Sequence, residues 1–339
     1  MLKPALAAEM HLSRDCVLGI MDFGYAPYAL GDTMTWLTNL QIVAHLKNVS
    51  SIDIAIVARP ERPSSRLQRS INAYSYVQAV ESLFPAFLCC PMLRSIHVYE
   101  GYRNFAQRVL GAIIARSATW PHLVSHFREE LDYSSHRQIN SFFTTKNYIP
   151  VLGPPRGYDE EVARFRARFL TGRDPVVVNI RRRALSFDPA ALQRDSVATA
   201  WGEFFSEAER LFPTATFVVA GGYSEWERDL VRRPNVVIPR AWGYGLGFEL
   251  SLLLSGTPFM GTSSGFSAAA TFSKVPYVIT NFEHQSSAYV DLPIGTERYP
   301  FATGSQSLNW EPETKEVLLS EFSRLWDEAI APEGRAQSE

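Results

Sequence analysis

Phe259-Met-Gly-Thr-Ser-Ser-Gly-Phe-Ser-Ala-Ala-Ala-Thr-Phe-Ser-Lys-Val-Pro-Tyr-Val-Ile-Thr280 carries one complete local pattern. A short apolar run ends in the polar turn Gly261-Thr-Ser-Ser-Gly265, a small-residue segment follows, and a second apolar run closes the stretch. Strand, tight turn, helix and strand in that order make a βαβ unit. Ser263 or Ser264 is placed to cap the helix, and Ala268, Ala269 and Ala270 let that helix lie close to a sheet. The turn falls beyond the carboxyl end of a strand and at a helix N-terminus, where amide groups and the helix dipole favour a phosphate. Thr262, Ser263, Ser264 and Gly265 are therefore candidate ligand-binding residues. The same residues also suit an ordinary serine-capped turn.

The pattern recurs along the chain. Val17–Phe23 reads as a buried strand running into a Gly/Pro-punctuated loop, Gly24 to Asp32. Met34, Leu37, Leu40, Val43 and Leu46 then recur at helical spacing, with Asp32 expected as the N-cap, and Ile52–Val57 is the next strand. Between Glu61 and Asn147, Ile71–Leu83 and Phe105–Ile114 read as helices and Ser95–Tyr99 as a strand. The Pro/Gly-rich Tyr148–Gly157 resembles an interdomain connection, followed by a helix over Asp159–Leu170. Strands at Pro175–Ile180, Thr216–Ala220 and Asn235–Pro239 alternate with helices at Trp201–Leu211 and Phe248–Leu254. An amphipathic helix from near Glu313 to Ile330 comes last. The alternation predicts an α/β protein of two Rossmann-like domains facing a cleft, residues 1–150 and 151–330, with a polar tail at 331–339. The final helix is one that can cross back toward the first domain.

Composition narrows the class. The chain has 339 residues, 46% hydrophobic and 20% charged, with a net charge of -2, which gives no electrostatic footprint for nucleic acid. Three cysteines, Cys16 and the adjacent Cys89 and Cys90, lack metal-ligand spacing and fit a reducing cytoplasm. Residues 1–10 contain no apolar core of signal-peptide length, and no run approaches the ~18 apolar residues of a membrane span. His122 and His126 have i, i+4 spacing without an acidic residue between them, so a surface helix is preferred to a metal site.

Gly31-Asp32 in the first loop and Gly261-Thr-Ser-Ser-Gly265 near the C-terminus together resemble bacterial glycosyltransferases of the GT-B fold, most closely the heptosyltransferases. The resemblance implies Asp32 as catalytic base and Ser263-Ser264-Gly265 at the donor nucleotide. Serines stand where that family has Asp-Thr, and Ser267 and Ala268 where a histidine is usual. Asn179-Ile-Arg-Arg-Arg183 looks like the His-x-Arg-Arg segment of fucosyltransferases, with Asn179 in place of histidine. That likeness implies Arg181 at the donor diphosphate, where a guanidinium offsets charge on the leaving group. A solvated basic strand end is the other reading.

Trp242-Gly-Tyr-Gly-Leu-Gly-Phe-Glu249 lacks Gly-x-Gly-x-x-Gly spacing. It reads either as a loop against a nucleoside, with Glu249 accepting from ribose hydroxyls, or as a surface loop beside a solvated helix face. Gly221-Gly222 after a strand lets backbone approach a phosphate or base, or forms a simple turn. Asp22 is a rival base or a turn-former, and Tyr25 and Tyr28 line an acceptor site or pack the loop. These residues, with the absence of an Asp-x-Asp segment, point to a metal-independent glycosyltransferase in the cytoplasm. No cofactor is expected: a nucleotide-sugar donor is the substrate, and the acceptor is a glycan or lipid-linked hydroxyl, with peripheral membrane contact allowed. A nucleotide-sugar 2-epimerase and a catalytically silent nucleotide-sugar or glycan binder are the competing classes.

Overall fold

A computed structural model of the chain describes residues 15–58, 75–101, 104–107, 118–121, 135–182, 194–223, 225, 228–282 and 290–330. The readings made for residues 1–10 and 331–339, for His122 and His126, for Arg183, and for the ends of the helices at 71–74 and 108–114 lie outside them. The chain divides into two compact units, Met1–Leu152 and Gly153–Glu339.

The first unit holds a parallel sheet ordered β3-β2-β1-β4, built from β1 (Cys16–Asp22), β2 (Ser51–Ala58), β3 (Leu93–Glu100) and β4 (Ala118–Trp120). Helix α1 (Leu30–Lys47) joins β1 to β2, α2 (Tyr76–Phe87) lies between β2 and β3, and α3 (His136–Lys146) closes the unit. Helix α1 is buried on nearly every side from Thr33 to Ile42. Its threonines satisfy that burial locally: Thr33, Thr35 and Thr38 each donate a hydroxyl to the carbonyl four residues back at 3.0 Å. Gly19 lets α1 lie directly on β1, because a Cβ there would sit 2.4 Å from Leu40 Cδ2. The expected cap is corrected. The helix starts at Leu30 with Ala29 as N-cap, so Asp32 is its third residue. A turn that brings Ala29 N–H onto the Pro27 carbonyl, followed by Thr33 N–H onto Ala29, starts the helix before Asp32 is reached. Asp32 instead places a negative charge in the first turn, where the helix dipole favours it.

Among its described residues the second unit holds six parallel strands ordered β10-β9-β8-β5-β6-β7. They are β5 (Asp174–Asn179), β6 (Ala215–Val219), β7 (Val236–Val237), β8 (Phe259–Thr262), β9 (Tyr277–Thr280) and β10 (Gln306–Leu308). Helices α4 (Asp159–Phe169), α5 (Ala198–Leu211), α6 (Leu246–Leu254), α7 (Gly265–Thr271) and α8 (Lys315–Leu325) accompany them. Taken in chain order the strands follow the 3-2-1-4-5-6 doubly wound arrangement, with its reversal between β5 and β8. The strand expected over Asn235–Pro239 shortens to Val236–Val237, since Pro239 has no N–H for the ladder and opens a 3-10 turn, Pro239–Trp242. Helix α8 buries Leu318, Phe322 and Leu325 in the second unit's own core, where Phe322 meets Phe204 and Phe217 at ring separations of 5.6 and 5.1 Å.

His136 opens α3 and is 5% exposed. Burial pulls its imidazole down from 6.5 to about 4, and the positive helix end disfavours the cation as well. Between those two values the unfolded chain binds more protons than the native one. The contribution is therefore complete above 6.5 and is lost as pH falls toward 4, by on the order of 3 kcal/mol. Replacing His136 by Gln should flatten the acid limb of the melting temperature against pH over this window. Calorimetric melting of both proteins across that range checks it, and parallel acid limbs would refute it.

Candidate functional site

Register puts two segments of the second unit side by side. Asn179, the last residue of β5, stands opposite Gly261 of β8, so Arg181 and Ser263 each lie two residues beyond paired positions. Gly261 is required there: a Cβ would come within 2.6 Å of the Asn179 carbonyl oxygen. Asn179 also donates its side-chain amide to the Ala220 carbonyl at 2.9 Å, tying the end of β5 to the end of β6.

The serine turn caps α7 as expected. Ser264 is the N-cap and forms a reciprocal box with Ser267, whose hydroxyl accepts from the Ser264 amide at 2.7 Å. Thr262 is buried and donates its hydroxyl to the Arg194 carbonyl at 3.2 Å. The Thr262 and Ser264 hydroxyls are thus engaged within the protein, and the half-buried Ser263–Gly265 turn offers mainly backbone. The box uses the Ser264 and Ser267 amides, and the remaining first-turn amides of a helix have no partner within it.

Arg181 is 4% exposed, so it is no solvated strand end. Its Nη1 lies 3.3 Å from Asp195 Oδ1, and its carbonyl accepts from the Ser196 amide at 2.9 Å. Next to this segment is a residue the sequence reading did not single out. Glu313 is buried; its Oε1 accepts from the Thr280 hydroxyl at 2.7 Å, and its Oε2 from the Val197 amide at 2.9 Å and the Trp201 indole at 3.0 Å. Burial raises its carboxyl above the ordinary value, against the pull of those donors. Val197 is the N-cap of α5, the helix after the first strand of the unit. In doubly wound folds that helix end commonly receives a pyrophosphate. Here the Glu313 carboxylate takes the Val197 amide at that end.

At the end of β6, Gly221 has φ +133°, and its amide donates to Glu249 Oε1 at 3.2 Å. Glu249 does not lie on a solvated helix face. It is 1% exposed and held by a fork from Arg240, Nε at 3.1 Å and Nη2 at 2.8 Å. Burial lifts its carboxyl to about 7, while Arg240 and the Gly221 amide oppose the shift. The acidic group that reaches the strand ends is the half-buried Glu225, whose Oε2 accepts from the Gly222 amide at 2.8 Å and lies 2.3 Å from where a Gly221 Cβ would be. The spacing Gly-Gly-x-x-Glu after a strand was the signal for it. Tyr223, 66% exposed, donates its hydroxyl to the Arg240 carbonyl at 3.1 Å. In the glycine-rich loop Trp242 lies under the Arg168 guanidinium, 4.6 Å from the ring centre.

In the first unit, Asp22 is buried and acts as a turn-former. Its Oδ1 accepts from the Gly24 amide at 2.8 Å and its carbonyl from Tyr25 and Ala26. Tyr28 stacks on Phe23 at 4.0 Å, and burial with nearby Asp22 and Tyr76 pushes its hydroxyl up to about 12. Asp32 stands half-buried beyond the same strand end. Among the described residues no group of three or more His, Cys, Asp or Glu is placed to hold a metal ion. Nor is any described helix long and apolar enough to cross a membrane.

No protein-family model matches the chain, and no curated protein matches it. Among solved structures it is similar to the Escherichia coli ADP-heptose lps heptosyltransferase II, with a TM-score of 0.55 and 13% identity over 92% of this chain and 99% of that one. It is also similar to a glycosyl transferase family 9 protein from Veillonella parvula DSM 2008, with a TM-score of 0.51 and 12% identity over 92% of each. At these identities the likeness establishes a fold shared with glycosyltransferases. Activity has to be argued from the residues.

The Glu249–Arg240 fork makes a separate forecast. A carboxyl raised from 4.5 to about 7 binds more protons in the native state than in the unfolded chain, so its contribution declines as pH rises through that window. Arg240→Ala would leave the carboxylate buried without its counter-ion, at a cost of about 3–5 kcal/mol. The loss of melting temperature should be larger at pH 8 than at pH 5. Equal losses at both would mean the pair is not what holds the Gly221 turn.

Proposed function

We propose that the protein is a GT-B glycosyltransferase that moves a sugar from a nucleoside-diphosphate sugar to a hydroxyl acceptor, with inversion and without a metal. The observation that carries this reading is the pairing at the fold reversal of the second unit. Arg181 and the half-buried Ser263–Gly265 turn follow adjacent strands there, while Glu313 takes the N-cap amide of α5. Likeness in fold to the two bacterial glycosyltransferases supports it. In this reading the second unit, from residue 151, binds the donor and the first unit the acceptor, a glycan or lipid-linked hydroxyl in the cytoplasm.

The acceptor oxygen attacks the anomeric carbon as the bond to the diphosphate oxygen breaks, and Asp32 takes the acceptor proton. The leaving nucleoside diphosphate is met by Arg181 and by the Gly265 and Phe266 amides. Glu225 replaces Glu249 as acceptor for the ribose hydroxyls, since an acidic group at the end of the second strand commonly takes them in doubly wound folds. The chain contains no Asp-x-Asp segment, so no metal has a part in the scheme.

Two substitutions test the assignment. Asp32 is the third residue of α1 and not its cap, so Asp32→Asn keeps the helix start intact. It should melt close to wild type, bind donor normally and lose sugar transfer by a factor on the order of a hundred or more. Transfer retained at the wild-type melting temperature would remove Asp32 from the mechanism. Arg181→Ala should lower donor affinity and turnover together, costing ~2–4 kcal/mol in kcat/KM. The exposed Arg182, replaced by Ala, should change little. The reverse order of effects would move the diphosphate contact to Arg182.

A further inference from the structure

We infer that Glu313 is a positioning residue for the diphosphate end of the donor site, holding segment 194–197 against Arg181. The inference rests on the reading that Arg181 meets a diphosphate. Three contacts join the segment to the site: the Thr262 hydroxyl on the Arg194 carbonyl, Asp195 beside the Arg181 guanidinium, and the Ser196 amide on the Arg181 carbonyl. Glu313 fixes the next residue along, Val197, through its amide. The same carboxylate reaches Trp201 inside α5 and Thr280 at the end of β9, so it ties the segment to two elements of the core. A carboxylate buried to 3% exposure is costly unless fully partnered, and Glu313 draws its donors from the start of α5 and the end of β9. Removing it frees Val197 and, through Ser196, the backbone clamp on Arg181. Gln at this position can keep all three contacts, with Oε1 toward Val197 and Trp201 and Nε2 toward Thr280.

The experiment compares wild type, Glu313→Ala and Glu313→Gln. Calorimetric binding is measured for ADP, GDP and UDP and for the matching nucleosides, and hydrogen exchange is followed at the Ser196 and Val197 amides. Glu313→Ala should weaken the preferred nucleoside diphosphate about tenfold, leave its nucleoside unchanged and speed exchange at both amides, and Gln should restore most of the loss. Wild-type diphosphate affinity in a folded Glu313→Ala protein overturns the inference. A loss shared equally by the nucleoside also overturns it, because a general loosening does that. Should the Ala variant fail to fold, Thr280→Val removes one donor at similar volume and must show the same diphosphate-only loss, smaller in size. If wild type binds none of the three diphosphates, the donor reading itself falls, and the diphosphate role of Glu313 with it. Unchanged exchange at Ser196 and Val197 would show separately that Glu313 anchors nothing.

Discussion

The β5–β8 ladder is the constraint on which the second unit depends. Parallel pairing of Asn179 with Gly261 leaves no room for a side chain at position 261. That close approach sets two strand ends at one height, and everything proposed for the donor follows from it. Arg181 comes off one strand and the Ser263 turn off the other. The doubly wound strand order makes the junction a crevice, because crossovers leave it toward opposite faces of the sheet.

Around that crevice the protein uses carboxylates as internal ties. Glu249 draws the Gly221 amide and Arg240 together, and Glu313 gathers α5, β9 and the segment before α5. In the first unit Asp53 on β2 does the same, accepting from Arg94 Nε at 2.9 Å and from the Ser95 hydroxyl at 2.7 Å. A buried carboxylate must be surrounded by donors or lose its charge, so each of these groups rigidifies whatever carries its donors. The result is that loops at strand ends of the second unit, ordinarily mobile in an α/β fold, are tied to its core. Arg181, Arg182 and Glu225 are among the charged side chains that follow those strand ends.

Helix α1 follows a different logic. Its burial on most sides gives almost no polar face, and its threonines bond back to their own helix. A helix held this firmly fixes the direction of its first turn, where Asp32 stands. Asp32 owes its place to Ala29 and Pro27 upstream.

The α/β class, the parallel sheets and the serine-capped turn were legible in the sequence. Apolar runs of strand length, helical spacing and a Ser-x-x-Ser box are local patterns, and local patterns are set by neighbours in the chain. The strands β4 and β10 were not legible, because three residues at a sheet edge carry no readable alternation. Glu249 reads as a ribose acceptor or a solvated helix-face residue, and Glu313 as the start of a helix. Their partners lie up to 28 and 116 residues away, and only folding brings those partners into place. Whether a carboxylate faces water, a guanidinium or a helix end is decided by packing across the unit. Spacing along the chain therefore determined which elements form, and tertiary structure alone decided which of their charged groups remain near the strand ends.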